Sequence, residues 1–350
     1  MIDRINKLKN IIRQSQADVF FITDPVNVRY MSGFTGGEAQ LLISRTESVL
    51  ITDFRYLEQA AHETKGLYEI RKREAGVSVY NLVKDILAKM NARSVAVEEG
   101  HISHKDYKDL KNTIGDIHLT AQNCDVENLR QIKYIDELSL IRKAAAIGKE
   151  AFEYIKGIIE PGMTENFVKN ELEYKVKQLG ASDMSFETIV ASGKRSAMPH
   201  GTASGKIIED GDIITIDFGC VYNGYCSDMT RTFFVGKKQP DTELLKIYDI
   251  VDSAYKIAVS KACAGISAKD LDAEARDYIK EKGYGEYFGH ALGHGVGLAV
   301  HESPSINMKN NKSLSVGEVI TIEPGIYIEG LGGVRIEDMA IIKENGCEII

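Results

Sequence analysis

The segment GDIITIDFGCVYNGYCSDMTRTFFVG, residues 211–236, alternates apolar and polar side chains on both sides of the dipeptide Asn223-Gly224. This dipeptide favours the two-residue turn of a β-hairpin. Counting outward from the turn makes Asp217 and Asp228 diagonal neighbours on one face of the hairpin. Because two carboxylates at this spacing repel each other, the segment predicts a positive charge between them.

A second segment repeats the first one. Residues 317–325 read GEVITIEPG and residues 211–219 read GDIITIDFG, so Glu323 stands where Asp217 stands in the earlier copy. A purely structural repeat would favour an apolar residue at that position. We interpret the repeat as a duplicated half-domain with a site at its pseudo-twofold axis.

The second copy also predicts a hairpin with two acids. A symmetric turn around EGLGG, residues 329–333, sets Glu323 opposite Met339 and makes Glu337 its diagonal neighbour. Each acid taken singly has the ordinary interpretation of a solvated hairpin residue. Four acids at matched positions of two repeated halves favour a shared site instead.

Three histidines lie among the glycines of YFGHALGHGVGLAVHESP, residues 287–304: His290, His294 and His301. Glycine allows the backbone to approach a ligand closely. Four carboxylates and one imidazole carry four negative charges, which two divalent cations neutralise. Oxygen-rich ligands with one nitrogen suit Mn, Co, Fe or Zn, and two such ions can activate water for attack on a carbonyl. The acids are therefore predicted metal ligands.

Chain length predicts two domains. Short apolar strands alternate with amphipathic helical stretches up to about residue 121, and a long helical segment follows with Leu138, Ile141, Ala145 and Phe152 at helical spacing. We expect an N-terminal α/β domain over residues 1–124 and an α+β domain over residues 125–350. The unusual acids and histidines all fall in the second.

Composition narrows the function classes. The formal net charge of −8 argues against binding to a phosphate backbone, so nucleic acid is not an expected partner. There is no apolar run near the roughly 18 residues that span a bilayer and no secretory h-region at the start, so no membrane association is expected. The five cysteines include no CxxC pair and are expected to be reduced, in a cytoplasmic protein.

The motifs DFG…SDMTRT, GHGVGLAVHESP, IEPGIY and RIED, in this order and spacing, resemble the pita-bread metallopeptidases. This group contains methionine aminopeptidase, aminopeptidase P and prolidase. The resemblance covers about residues 126–342. The first domain is similar, by length and pattern, to the extra domain of the aminopeptidase P, prolidase and creatinase branch. The resemblance implies a creatinase-like α/β domain followed by an α+β pita-bread catalytic domain with a pseudo-twofold repeat.

The resemblance also implies a set of metal ligands. Asp217 would bind one ion, His294 and Glu323 would bind the other, and Asp228 and Glu337 would bridge them. Glu323 would also take the proton of the nucleophilic water.

The remaining site residues carry implied roles toward the substrate. His301 would hydrogen-bond the substrate carbonyl, and His200, in AMPHGTAS, would position the substrate or transfer a proton. His290 and Arg335 would line the pocket for the residue after the cut, or would serve only as partners of the ligands.

In this branch the scissile bond precedes proline, whose nitrogen carries no hydrogen. The expected activity is that of an Xaa-Pro aminopeptidase on peptides with proline second, and the alternative is an Xaa-Pro dipeptidase. The N-terminal domain, through residues 33–40, is expected to limit the substrate's amino-terminal side within a homodimer. Two divalent ions are expected, Mn first, with Co, Zn or Fe open.

Three other readings remain. Creatinase shares the fold but has no metals. A peptide-binding relative without activity would have lost some of the metal ligands. The presence of all five predicted ligands in this sequence argues against both alternatives. A dinuclear phosphoesterase would need more histidines and cationic phosphate contacts.

Overall fold

The computed structural model describes residues 1–122 and 125–350. Within them the chain divides into two compact units, Met1–Arg130 and Gln131–Ile350. The predicted domain boundary lies between residues 124 and 125, next to Cys124, which is outside the described residues. The prediction that Cys124 is reduced also concerns a residue outside the described ones. Cys220, Cys226, Cys263 and Cys347 are free thiols.

The first unit is built on a six-stranded mixed sheet with the strand order β4-β3-β2-β1-β5-β6. Its strands are β1 (Val19–Ile22), β2 (Ala39–Ser44), β3 (Ser48–Asp53), β4 (Glu69–Arg73), β5 (Ser94–Glu98) and β6 (His118–Gln122). Its helices are α1 (Ile2–Gln14), α2 (Pro25–Ser32), α3 (Leu57–Glu63), α4 (Val79–Lys89) and α5 (His104–Ile114), with a 3-10 turn at Phe54–Tyr56 and α6 (Asp125–Gln131) at the boundary. Val19, Val95 and Leu110 belong to an apolar core between the sheet and its helices.

The second unit holds four further helices: α7 (Ile135–Ile158), α8 (Glu165–Gln178), α9 (Thr242–Lys261) and α10 (Ala268–Glu281), with 3-10 turns at Gly193–Ala197 and Gly285–Tyr287. Its strands are β7 (Asp183–Met184), β8 (Ile189–Ser192), β9 (Ile213–Phe218), β10 (Cys220–Tyr222), β11 (Tyr225–Cys226), β12 (Met229–Phe234), β13 (Gly293–Gly295), β14 (Glu302–Ile306), β15 (Val319–Ile322), β16 (Gly325–Ile328), β17 (Gly332–Arg335), β18 (Asp338–Lys343) and β19 (Gly346–Ile349). The predicted spacing on α7 is confirmed, because Leu138, Ile141, Ala145 and Phe152 are all buried. Burial of a Leu, Ile or Phe side chain of this kind contributes roughly 1.5–3 kcal/mol.

The two halves of this unit repeat one arrangement of helices and strands. Thr164 caps α8 by accepting a hydrogen bond from the Phe167 amide, and Ser267 caps α10 in the same way. Each capping residue also forms an isolated antiparallel bridge, Thr164 with Ile207 and Ser267 with Ser313. The helices pack on separate apolar clusters, one for each half. The predicted duplication is therefore visible in helix caps as well as in the strand sequences.

The first hairpin has the predicted register. Asn223 and Gly224 have φ values of 47° and 84°, as a two-residue hairpin turn requires. Tyr222 pairs with Tyr225 and Asp217 pairs with Thr230.

The predicted register of the second hairpin is wrong by two positions. Ile328 pairs with Gly332, so the loop has three residues, and Thr321 rather than Glu323 pairs with Met339. Continuing this register sets Glu323 directly opposite Glu337. A shift of two residues keeps both glutamates on the predicted face, because side chains alternate with period two.

None of the helices in the described residues combines the length and the apolar character needed to cross a membrane.

Candidate metal centre and substrate cavity

A cavity of about 880 Å³ lies within the second unit. All nine site residues predicted from the sequence line it: His200, Asp217, Asp228, His290, His294, His301, Glu323, Arg335 and Glu337. The fold thus brings together side chains that are distributed over more than 130 positions of the chain.

Three of the residues that line this cavity form a compact group of potential ligand atoms. One ligand atom each of Asp228, His294 and Glu337 lies within 4.8 Å of the other two. The Nε2 atom of His294 lies 3.5 Å from Asp228 Oδ2 and 3.5 Å from Glu323 Oε1. These distances leave room for an ion between the groups.

Two glycines allow the backbones around these acids to meet. A Cβ atom at Gly219 would lie 1.8 Å from the carbonyl oxygen of Ser227, the residue before Asp228. A Cβ atom at Gly293 would lie 2.0 Å from the carbonyl oxygen of Thr321, two residues before Glu323. Any side chain at either position would displace the backbone next to a predicted ligand.

The ring of His294 presents a bare nitrogen to the acids. Its Nδ1 atom lies 3.0 Å from the Gly295 carbonyl oxygen, which assigns the ring proton to Nδ1. Burial, with a smaller contribution from the neighbouring His301, lowers the pKa of His294 to about 4, against the hydrogen bond to Gly295. The neutral ring therefore directs the Nε2 lone pair toward the carboxylates, as a metal-binding histidine does.

Burial dominates the electrostatics of the acids. It raises the pKa of Asp228 well above its usual range, and Asp217 and Glu323 add repulsion. Burial also raises the pKa of Glu337, with Asp228 adding repulsion. It raises the pKa of Glu323 to about 8, against the attraction of Arg335. A cluster of this kind holds either protons or cations.

Arg335 forms an ion pair with the predicted ligand Asp217. Its Nη2 atom donates to Asp217 Oδ2 at 2.6 Å, and its side chain is 4% exposed. The Nε atom donates to Thr230 Oγ1 at 3.0 Å, and Thr230 Oγ1 in turn donates to Glu337 Oε2 at 2.6 Å. Thr230, which the sequence reasoning missed, thus connects Arg335 to a second acid.

Tyr327 is a second residue that the sequence reasoning missed, although it ends the quoted motif IEPGIY. Its hydroxyl accepts a hydrogen bond from Arg335 Nη1 at 2.8 Å and lies 2.9 Å from His290 Nε2. The Nδ1 atom of His290 lies 2.8 Å from the Ala291 carbonyl oxygen, so Nε2 accepts from the tyrosine. A chain of hydrogen bonds therefore runs from Asp217 to His290.

His301 lies beside the acids, with its ring centroid 4.4 Å from that of His294. The next residue, Glu302, forms a buried ion pair with Lys133 at 3.4 Å, with side chains 5% and 1% exposed. The Glu302 carboxylate also accepts the Ala299 amide at 3.0 Å. The ion pair and the hydrogen bond of Glu302 therefore anchor the end of the loop that carries His301.

The donor set can be tested against a metal ion from the residues alone. Asp217 Oδ1 is buried and has no hydrogen-bond partner among the described residues. Carboxylate oxygens with one neutral imidazole nitrogen suit divalent cations of the first transition row. The residues fit such ions.

Comparison with known families decides the identity of this fold. Residues 139–344 match metallopeptidase family M24, and residues 4–132 match the creatinase/prolidase N-terminal domain. The chain belongs to metallopeptidase family M24. The predicted family and the predicted fold class, a creatinase-like α/β domain and a pita-bread domain, are confirmed, and the chain is a hydrolase.

Relatives within the family match along almost the whole chain. The Xaa-Pro dipeptidase of Pyrococcus furiosus is 40% identical over 349 residues, 99% of this chain and 97% of that protein. The structure of an Xaa-Pro dipeptidase from Bacillus anthracis has a TM-score of 0.96 and 42% identity, over 99% of this chain and 96% of its own. An X-Pro aminopeptidase from Thermotoga maritima has a TM-score of 0.89 and 41% identity, over 96% of each chain.

Membership in a peptidase family argues against the phosphoesterase alternative. Some of the similar proteins are named aminopeptidases and others are named dipeptidases. The structure with the TM-score of 0.96 is among those named dipeptidases.

Proposed function

We propose that this protein hydrolyses Xaa-Pro dipeptides with two divalent cations bound in the cavity of its second unit. The observation that carries the proposal is the convergence of four carboxylates and one neutral imidazole on a cavity that three further histidines line. The names of the similar dipeptidases support the substrate class. The aminopeptidase activity expected from the sequence becomes the second candidate, supported by the similar X-Pro aminopeptidase of Thermotoga maritima.

The proposed ligands divide between two ions as the family resemblance implies. Asp217 would hold one ion, His294 and Glu323 would hold the other, and Asp228 and Glu337 would lie between both. Four carboxylates balance the charge of two dications. Manganese is the first candidate, with Co, Zn or Fe as alternatives, and homodimer formation and a cytoplasmic location stay predictions.

The chain's own residues supply the proton transfers. When bound, divalent cations supply a nucleophile from water at neutral pH and polarise the scissile carbonyl. Glu323, which accepts a hydrogen bond from the Thr321 hydroxyl, would accept a proton from the attacking water. His301 would donate a hydrogen bond to the carbonyl oxygen as negative charge develops there. Breaking the carbon–nitrogen bond requires a proton on the proline nitrogen, which Glu323 would return.

The substrate-length preference is tested with Ala-Pro and Ala-Pro-Ala-Ala, after elemental analysis has established the bound metal. A dipeptidase releases alanine from Ala-Pro at a much higher kcat/KM than from the tetrapeptide. The reverse preference would transfer the assignment to the aminopeptidase. Cleavage of neither peptide, together with cleavage of a peptide that lacks proline, would remove the proline requirement.

The role of His301 has its own test. The substitution His301→Ala should lower kcat by roughly 10²–10³, because it removes one donor to the developing oxyanion. The two metal ions should stay bound, since His301 is not a proposed ligand. Unchanged kcat at full metal occupancy would limit His301 to packing.

A further inference from the structure

Each half of the catalytic unit has one fully buried carboxylate in its second helix. Glu165 lies in the first turn of α8 and Asp272 lies in α10, and both side chains are 0% exposed. Each forms an ion pair with an arginine, Glu165 with Arg195 and Asp272 with Arg276. We call these the Glu165 pair and the Asp272 pair. Burying a charge pair is costly unless further hydrogen bonds satisfy both groups, so their other contacts show what they do.

The Glu165 pair joins the two ends of one loop. Glu165 Oε1 accepts the Ser192 amide at 2.8 Å, and Oε2 accepts the Ser204 amide at 3.1 Å and its hydroxyl at 2.6 Å. Arg195 Nη2 donates to the Thr202 carbonyl oxygen at 2.8 Å. The segment between these contacts contains His200.

The Asp272 pair also holds a segment in the other half, but its arginine lies on the helix α10, whereas Arg195 lies in the loop itself. Asp272 Oδ1 accepts the Leu292 amide at 3.0 Å. Arg276 donates to the Phe288 carbonyl oxygen at 2.9 Å and to the His290 carbonyl oxygen at 2.7 Å. The segment between these contacts contains His290.

The two histidines differ in what else holds them. No hydrogen bond to the His200 ring is found within residues 1–122 and 125–350, so its position follows from its backbone. The His290 ring is held independently by the Ala291 carbonyl oxygen and the Tyr327 hydroxyl. The position of His200 therefore depends on its buried pair more than that of His290 does.

We propose that the Glu165 pair and the Asp272 pair both act as positioning devices, each of which fixes the backbone of one histidine that faces the substrate. This inference rests on the proposed function, in which His200 and His290 contact the peptide. Neither pair belongs to the predicted metal site, and neither arginine lines the cavity. Their effect on catalysis passes through the loops.

The first test uses Arg195→Lys and Arg276→Lys. Lysine keeps the charge but lacks the fork that contacts a carboxylate and a carbonyl together. We expect Arg195→Lys to lower kcat/KM on Ala-Pro by roughly 10–100-fold at unchanged metal content, and Arg276→Lys to lower it less. The matched control is Arg142→Lys, which loses a bidentate pair with Glu348 away from the cavity and should keep wild-type kcat/KM.

A crossed design separates positioning from general structural damage. In a His200→Ala background, Arg195→Lys should have no further effect, whereas Arg276→Lys should still lower kcat/KM. In a His290→Ala background the two arginine variants should exchange roles. Losses that simply add in both backgrounds would overturn the proposal.

A readout independent of activity separates this inference from the proposed function. In protein labelled with ¹⁵N-histidine, Arg195→Lys should shift or broaden the ring signals of His200 and leave those of His290 unchanged. If Arg195→Lys does not fold, Ser204→Ala removes a single contact of the same pair and should move the same signals. Unperturbed His200 signals in the folded variant would refute the positioning role even if Ala-Pro is cleaved. Perturbed His200 signals would support it even if Ala-Pro is not cleaved.

Discussion

At the scale of single residues, burial of the acids has the largest effect on the electrostatics of the candidate centre, and repulsion between the acids adds to it. Asp228, Glu323 and Glu337 all have raised pKa values, first because burial removes water and then because neighbouring carboxylates repel. Arg335 supplies a fixed positive charge beside these acids. Burial works to lower its pKa, but Tyr327, Asp217 and Glu337 together raise that pKa well above its usual value. One guanidinium does not neutralise four carboxylates.

This imbalance predicts how the stability of the metal-free protein depends on pH. The folded pKa of Glu323 is about 8, against 4.5 for the free side chain. Between those values the folded chain binds more protons than the unfolded chain, so folding stability decreases as pH rises. The thermal midpoint of the metal-free protein should therefore fall from pH about 5 to about 8.

The same experiment includes two comparisons. Asp228→Asn should flatten the fall, because it removes one charge of the cluster. Saturation of the wild-type protein with metal should abolish it. A metal-free midpoint that rises across this window, in wild type and variant alike, would contradict the buried-acid account.

Elements of secondary structure bring these residues together by close contacts between backbones. The hairpins present two acids each, and Thr230 forms an isolated bridge with Glu337 between the two halves of the repeat. The loop after β13 bears His301 and is held at its end by Glu302 and Lys133. This buried pair connects that loop to the segment that precedes α7.

Removing one partner of this pair is predicted to be costly. Lys133→Met should lower the free energy of unfolding of the metal-free chain by about 3–5 kcal/mol, because the Glu302 carboxylate stays buried without that ammonium. The double variant Lys133→Met/Glu302→Leu should recover part of the loss. Urea unfolding followed by circular dichroism measures both.

The control for this prediction is Lys256→Met, which removes an exposed ion pair with Asp252 on α9. Its unfolding midpoint should stay near that of the wild type, since exposed pairs contribute little. Equal destabilisation by the Lys133 and Lys256 substitutions would show that burial of the Lys133–Glu302 pair does not increase its contribution to the free energy of unfolding.

The whole molecule consists of two units, and every predicted ligand belongs to Gln131–Ile350. A ligand that binds only the folded state stabilises the structure that it contacts, by about 2.7 kcal/mol at a concentration 100-fold above Kd. Which segments of the chain a bound metal stabilises can be measured from the exchange rates of their backbone amides.

Hydrogen exchange of the full chain, with and without metal, should show this distribution. Added metal should slow amide exchange around Asp228, His294 and Glu337, and should leave the sheet β1–β6 unchanged. Protection of β1–β6 equal to that of the catalytic strands would contradict confinement of the metal effect to the second unit.

The sequence by itself determined the features that depend on local chemistry. The Asn223-Gly224 turn fixes its register within two residues, because both positions adopt positive φ. The repeated strand sequences identified the acids, and the alternation of short strands and helices gave the α/β pattern of the first unit. The spacing of apolar residues on α7 gave its buried face.

Only the tertiary structure decided the second register and the contacts that connect distant segments. The loop of the second hairpin includes Gly330 at a φ of 78°, and glycine permits several loop lengths, so its sequence does not fix one pairing. Asp217 and Arg335 lie 118 positions apart, and Ser192 meets Glu165 only because β8 packs beside α8. Such contacts depend on how the two halves of the catalytic unit and their loops pack. The spacing of residues along the chain does not predict this packing.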